Sequence, residues 1–288
     1  MAGEAEQQLR AYVDYLRDMG VHDFYRQGEP VFAEVARSPV VSVAEVAVAP
    51  EVRPVPDVVE RIAASIPNRP EYLEPPIPKL VSFDELAPIP EVRVTAAHKA
   101  EALVAIHEEI GDCTRCPLAY AGRRKIVFGD GDANARLMFV GEGPGADEDA
   151  SGVPFVGKAG QLLNNMIQAM GLKREEVYIA NIVKCRPPAN RVPEPVEANT
   201  CDQFLLRQID VVQPEVVVAL GATAAMYLLG VKQSLRALRG SWHSCRGAKL
   251  VVTYHPAFLL RDPTQKGEAW KDLQMVMAEM GLKAPAKG

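Results

Sequence analysis

Three kinds of side chain in this sequence are placed to do chemistry: a set of cysteines, an amide inside an apolar run, and a histidine just past another. Cys113-Thr-Arg-Cys116 is a C-x2-C turn, and Cys185 and Cys201 follow far downstream with 15 residues between them. That gap is too wide for the second knuckle of a zinc ribbon. Four thiolates can instead hold a [4Fe–4S] cluster, while spacing alone leaves open four unrelated buried thiols. The close-packed C-x2-C-x2-C run of ferredoxins is absent from the sequence, which points to a structural rather than an electron-transfer role. Cys245 has no partner in sequence and reads as a plain thiol.

Asn181 interrupts the apolar run Tyr178-Ile-Ala-Asn-Ile-Val. A buried amide is costly unless protein or ligand satisfies it, and a satisfied structural Asn is the ordinary outcome. His255 follows Leu250-Val-Val-Thr-Tyr254 and opens His255-Pro-Ala-Phe-Leu-Leu-Arg261. Phe155 stands between Pro154 and Val156, where it is either core or a stacking platform for a flat ligand. Glu142-Gly-Pro-Gly-Ala-Asp-Glu-Asp149 reads as a glycine- and acid-rich loop, running on through Gly157 to a helix that starts near Ala159. Gly141-Glu-Gly-Pro-Gly-Ala146 imitates a dinucleotide fingerprint. Pro144, the acids that follow, a helix starting some ten residues late, and Lys184-Cys185 where a ribose-binding carboxylate belongs all count against that reading.

Elements of α/β type are needed to hold these groups. Apolar strand candidates at 136–142, 177–185, 215–221 and 249–254 alternate with helical stretches at 159–170, 197–211, 222–229 and 268–280, preceded by a helix over 95–110. Strands separated by helices imply right-handed crossovers and a parallel sheet covered on both faces, hence a three-layer α/β/α domain with a four-stranded parallel sheet. Asn181, His255 and the acidic loop then fall at the carboxyl ends of strands, where open α/β sheets bind ligands. The sequence predicts an N-terminal segment over residues 1–37 with a helix over 8–25, a proline-rich, disordered linker over residues 38–95, and the α/β domain over residues 96–288. Eleven of the 23 prolines lie between Ser38 and Val94.

The chain of 288 residues is 48% hydrophobic and carries a net charge of −5. The acidity is uneven: residues 1–95 carry 9 Lys+Arg against 16 Asp+Glu, and the remainder is slightly basic, so DNA is not barred as a partner. No apolar run approaches a membrane span, and the first residues lack the features of a signal peptide. With an odd number of cysteines, this favours a cytoplasmic protein with no membrane partner.

Four motifs in order, Gly141–Asp149, Gly152-Val-Pro-Phe-Val-Gly-Lys-Ala-Gly-Gln-Leu-Leu163, Asn181-Ile-Val-Lys-Cys-Arg-Pro-Pro188 and His255–Arg261, closely resemble the family-four, iron–sulfur uracil-DNA glycosylases. The resemblance spans roughly residues 96–281. It implies a [4Fe–4S] cluster on Cys113, Cys116, Cys185 and Cys201, a monomer, and uracil-containing DNA, single- or double-stranded, as substrate. The residues beyond it leave room for a protein partner of the N-terminal extension. A non-catalytic nucleic-acid-binding or redox-sensing iron–sulfur protein of the same fold is the alternative.

On that resemblance, Phe155 would stack on a flipped uracil while the Asn181 amide reads N3–H and O4. His255 would face O2, and backbone amides near Gly143 would add donors. Glu142 or Glu148 would orient water and stabilise the cationic sugar, and Glu148 could also stand against C5 of the base. Phe258 or Leu259 would wedge into the base stack, Arg261 would touch phosphate, and Arg123, Arg124 and Lys125 form either a second basic group or a solvated turn.

Overall fold

The computed structural model describes residues 80–283. The helix expected over 8–25 and most of the proline-rich segment lie outside the described residues. Those of the segment that are described do not behave as a linker. Helix α1 (Phe83–Leu86) buries Phe83 to 1% exposure, and the buried Arg246 guanidinium donates to the carbonyls of Phe83, Ala87 and Pro88. Asp210 pairs with the same guanidinium at 2.6 Å, so one cation ties residues 83–88 to the body of the domain.

Helix α2 (Lys99–Ile110) follows a 3-10 turn and buries Leu103, Ile106 and Ile110 on one stripe. It stops at Gly111, whose φ of +48° suits glycine. The sheet then assembles from β1 (Asp130–Gly131), β2 (Leu137–Gly141), β3 (Tyr178–Asn181), β4 (Val216–Leu220), β5 (Trp242–Cys245) and β6 (Ala248–Thr253). Their order is β1-β3-β2-β4-β6-β5. The inner four are mutually parallel, and all but the exposed Lys249 on β6 are buried apart, as strands covered on both faces must be. These are the four expected strands. Two short antiparallel borders, β1 on β3 and β5 on β6, extend the sheet to six.

The crossovers contain α3 (Ala146–Ser151) and α4 (Lys158–Ala169) after β2, α5 (Pro195–Val212) after β3, and α6 (Ala222–Leu229) and α7 (Leu235–Leu238) after β4. Helices α8 (Pro256–Arg261) and α9 (Lys266–Met280) follow β6. One core lies between the sheet and α2, α5 and α6, and a second between the sheet, α4 and α9.

Helix α3 corrects the expectation of a continuous acidic loop. Asp147, Glu148 and Asp149 occupy its first turn, where the amino-terminal end of a helix favours carboxylates. The delayed helix start held against a dinucleotide site therefore does not apply.

Candidate active site

All four parallel strands deliver a residue to one cavity of about 510 Å³ at their carboxyl ends. Glu142, Gly143 and Gly145 come from the turn after β2, Asn181 from β3, Gly221 and Thr223 from the junction of β4 and α6, and His255 and Phe258 from the junction of β6 and α8. Phe155 lines it from the turn between α3 and α4.

Asn181 is buried, and its Oδ1 accepts no hydrogen bond from the protein, the one buried side-chain polar atom so placed among the described residues. Such an acceptor costs about 1–3 kcal/mol until a donor arrives. Beside it lies the Phe155 ring: a Cβ built on Gly141 would stand 2.5 Å from Asn181 Oδ1 and 2.7 Å from Phe155 Cζ. Only glycine leaves amide and ring side by side at that floor.

Phe155 holds a φ of +53°, a left-handed backbone costly for a bulky residue. Two devices fix it there. The Arg174 guanidinium donates to the carbonyls of Pro154 (2.5 Å) and Phe155 (3.1 Å) and to Asn164 Oδ1 (3.0 Å). Gly160 lets the turn close, since a Cβ there would sit 1.9 Å from the Phe155 carbonyl oxygen. The Phe155 and His255 rings then face each other with centroids 5.6 Å apart.

His255 caps α8: its Nδ1 accepts from the Ala257 backbone N–H at 3.1 Å, which leaves the neutral ring's proton on Nε2. Burial, and secondarily Arg261, lowers its pKa to about 4. The imidazole is therefore a neutral donor at physiological pH. Glu142 accepts from the Thr223 hydroxyl at 2.5 Å, with its other oxygen unengaged by protein hydrogen bonds among the described residues. Glu148 differs. Its two oxygens accept from the backbone N–H groups of Gly145 (3.0 Å), Val156 (2.9 Å) and Gly157 (3.1 Å), so this carboxylate laces both ends of the loop together.

At the rim the structure redistributes the sequence assignments. Leu259 is 1% exposed and cannot enter a base stack without leaving the core, whereas its neighbour Leu260 is 43% exposed. Phe258 lines the cavity and stacks on Tyr254. Arg261 is exposed at the mouth. Arg124 and Lys125 are exposed, but Arg123 turns inward, donating to Cys185 Sγ at 3.3 Å and to the Cys113 carbonyl at 2.7 Å. It is thus neither a phosphate contact nor a solvated turn residue.

Cys113, Cys116, Cys185 and Cys201 line a second pocket, together with Ile110, Ile126, Phe204, Arg115 and Lys184. Among the described residues, no three His, Cys, Asp or Glu side chains converge as ligands to one ion. The four thiols thus share the lining of one pocket without forming a single-ion site. Burial raises the Cys116 and Cys185 thiols and pushes Cys201 up to about 12. Arg123 beside Cys185 and Lys184 beside Cys201 pull the other way, without undoing the rise. Cys245 lies apart from these four, at the end of β5.

Sequence reasoning did not find Arg174, Thr223, Gly160 or Lys184. Three of them act on backbone atoms or on a side chain distant in sequence, and no spacing rule signals that.

Residues 128–274 match the family model of the uracil DNA glycosylase superfamily. The chain is 46% identical over 166 residues to the type-4 uracil-DNA glycosylase of Thermotoga maritima, covering 57% of this chain and 86% of that protein. It is 43% identical to the corresponding protein of Pyrobaculum aerophilum, covering 59% and 90%, and 38% identical to that of Archaeoglobus fulgidus, covering 64% and 96%.

Proposed function

The chain belongs to the uracil-DNA glycosylase superfamily, among its type-4 members, and on that premise we propose how its own residues carry out the reaction. It is a hydrolase that cleaves the N-glycosidic bond of deoxyuridine in DNA, leaving free uracil and an abasic site. The base leaves the stack at a cost of a few kcal/mol and enters the cavity. Phe155 stacks on its face. Asn181 Oδ1 accepts from N3–H while the amide nitrogen donates to O4. Cytosine reverses both partners and leaves the buried amide unpaired, a penalty able to discriminate by roughly 10⁴-fold.

His255 donates from Nε2 to O2, where charge collects as the C1′–N1 bond breaks. A neutral donor stabilises that oxygen without having to give up its own proton. Glu142 lines the same cavity, oriented by Thr223, and is our choice for the group that stabilises the cationic sugar and aligns the water. The Gly143 backbone lines the same cavity and would add a donor. Glu148 we reassign as a positioning residue, because its oxygens are already committed to three backbone amides. Arg261 and the exposed Leu260 are the proposed contacts to phosphate and base stack, and Phe258 lines the cavity.

Cys113, Cys116, Cys185 and Cys201 would hold a [4Fe–4S] cluster. When bound, such a group supplies a rigid four-point staple among α2, the end of β3 and α5. The donor set fits: four thiols around one pocket, with cations at hand to balance them. A brown protein with broad visible absorption after anaerobic purification is the expected sign.

One observation carries the reading of the base site: a buried, unpartnered Asn181 oxygen beside an aromatic ring in a cavity that also holds His255. Incubation with uracil-containing single-stranded DNA followed by alkali should break the strand at uracil. Intact strands would overturn it.

A further inference from the structure

Between the cysteine pocket and the base site lies one side chain that borders the first and holds the second. Lys184 is 1% exposed, yet among the described residues no carboxylate lies within ion-pairing distance of its ammonium. Its Nζ donates to Gln208 Oε1 at 2.5 Å and to the backbone carbonyl of Asn181 at 3.0 Å. Gln208 is in turn held by its amide nitrogen, which donates to the Phe128 carbonyl and to the Tyr178 hydroxyl, both at 3.0 Å. An ammonium has three hydrogens, and neutral oxygens take two. The same residue lines the pocket of the four cysteines, and its backbone N–H donates to Cys201 Sγ at 3.3 Å.

A buried cation without a counter-charge is among the costliest arrangements in a protein. Hydrogen bonds to an amide and a peptide oxygen satisfy its donors but do not neutralise it. Four thiolates around an iron–sulfur core leave that group net anionic, and it would lie against Lys184. Building on the cluster assignment above, we infer that Lys184 is the buried counter-cation of the thiolate-held group and, through the same ammonium, the strut that fixes the peptide of Asn181. Lys184 is then a positioning residue. Lys184 would balance the charge of the cysteine pocket while its ammonium holds the carbonyl at the end of β3, and that peptide aims the amide that reads the base.

The test compares full-length wild type with Lys184→Met, which keeps the length and removes the charge, and with Lys184→Arg, which keeps the charge. Reduction is followed anaerobically in the visible band, and inhibition of glycosylase activity by free uracil is measured beside it. A positive charge near a redox centre favours its reduced form. Lys184→Met should therefore shift the reduction potential to more negative values and weaken uracil inhibition about tenfold, the loss expected of one hydrogen bond from a charged donor. Lys184→Arg should keep the potential near wild type. A folded Lys184→Met protein with either quantity unchanged overturns the inference and leaves the cluster assignment standing. Wild type without a visible band overturns both. Should Lys184→Met fail to accumulate, Gln208→Met removes one acceptor but keeps the charge. It should weaken uracil inhibition without moving the potential, and the opposite pattern overturns the inference.

Discussion

At the scale of single residues, the site sets an acceptor and a donor at the ends of β3 and β6, on either side of β2 and β4. Asn181→Asp replaces a neutral amide with a carboxylate that cannot donate to O4, so uracil excision should fall sharply in single-turnover assays. His255→Ala removes a preorganised donor at developing negative charge and should slow the chemical step about a hundredfold or more, with DNA affinity much less affected. The lowered His255 pKa has a sign that can be checked. Between about pH 4 and the ordinary histidine value near 6.5, the unfolded chain binds a proton that the folded chain refuses. Stability should therefore decline as pH falls through that window, and His255→Gln should flatten the decline in thermal melts between pH 6.5 and 4. That Asn181 and His255 meet at one end of the sheet was legible in the sequence, because each is a polar group set against an apolar strand candidate. The choice between Leu259 and Leu260 was not. A helix of six residues is too short for its periodicity to show which side faces the core.

At the scale of elements, the turn carrying Phe155 is held by groups the sequence does not advertise. Arg174 binds carbonyl oxygens, and every residue has a carbonyl, so no pattern of side chains marks its target. Arg174→Ala should raise KM for uracil-containing DNA and weaken inhibition by free uracil. The fold should persist, because the lost bonds lie in a turn between helices rather than in the sheet, and Arg174→Lys should recover only part of the effect since one ammonium cannot span both carbonyls as a guanidinium does. Gly160→Ala is harsher: its Cβ would collide with the Phe155 backbone, and about 1–3 kcal/mol of destabilisation together with lost activity is expected in denaturation and excision assays. Helix α3 escaped detection for a related reason. Glycine, proline and three successive acids read as a loop by composition, but their position after Gly145 allows the helix terminus to use the charge.

At the scale of the whole molecule, the four parallel strands and the main crossover helices follow from apolar runs and amphipathic spacing, whereas the boundary of the packed domain does not. Proline density marks residues up to Val94 as extended, and outside α1 the described part up to Val94 has no helix or strand. Extension did not prevent packing, because Phe83 and the carbonyls that Arg246 binds supply what a linker lacks. A chain beginning at residue 80 keeps Phe83 and the carbonyls that Arg246 binds. One beginning at residue 96 exposes the Phe83 site and strands the Arg246 donors, and it should lose about 3–5 kcal/mol in chemical denaturation. The borders of the sheet have a separate consequence. Strands that run in parallel are slow to pair and dangerous when bare, yet here each flank ends in a reversed segment of two or four residues. Such stubs give an approaching foreign chain almost no ladder to extend, which guards against fibril-like growth while the interior is still assembling.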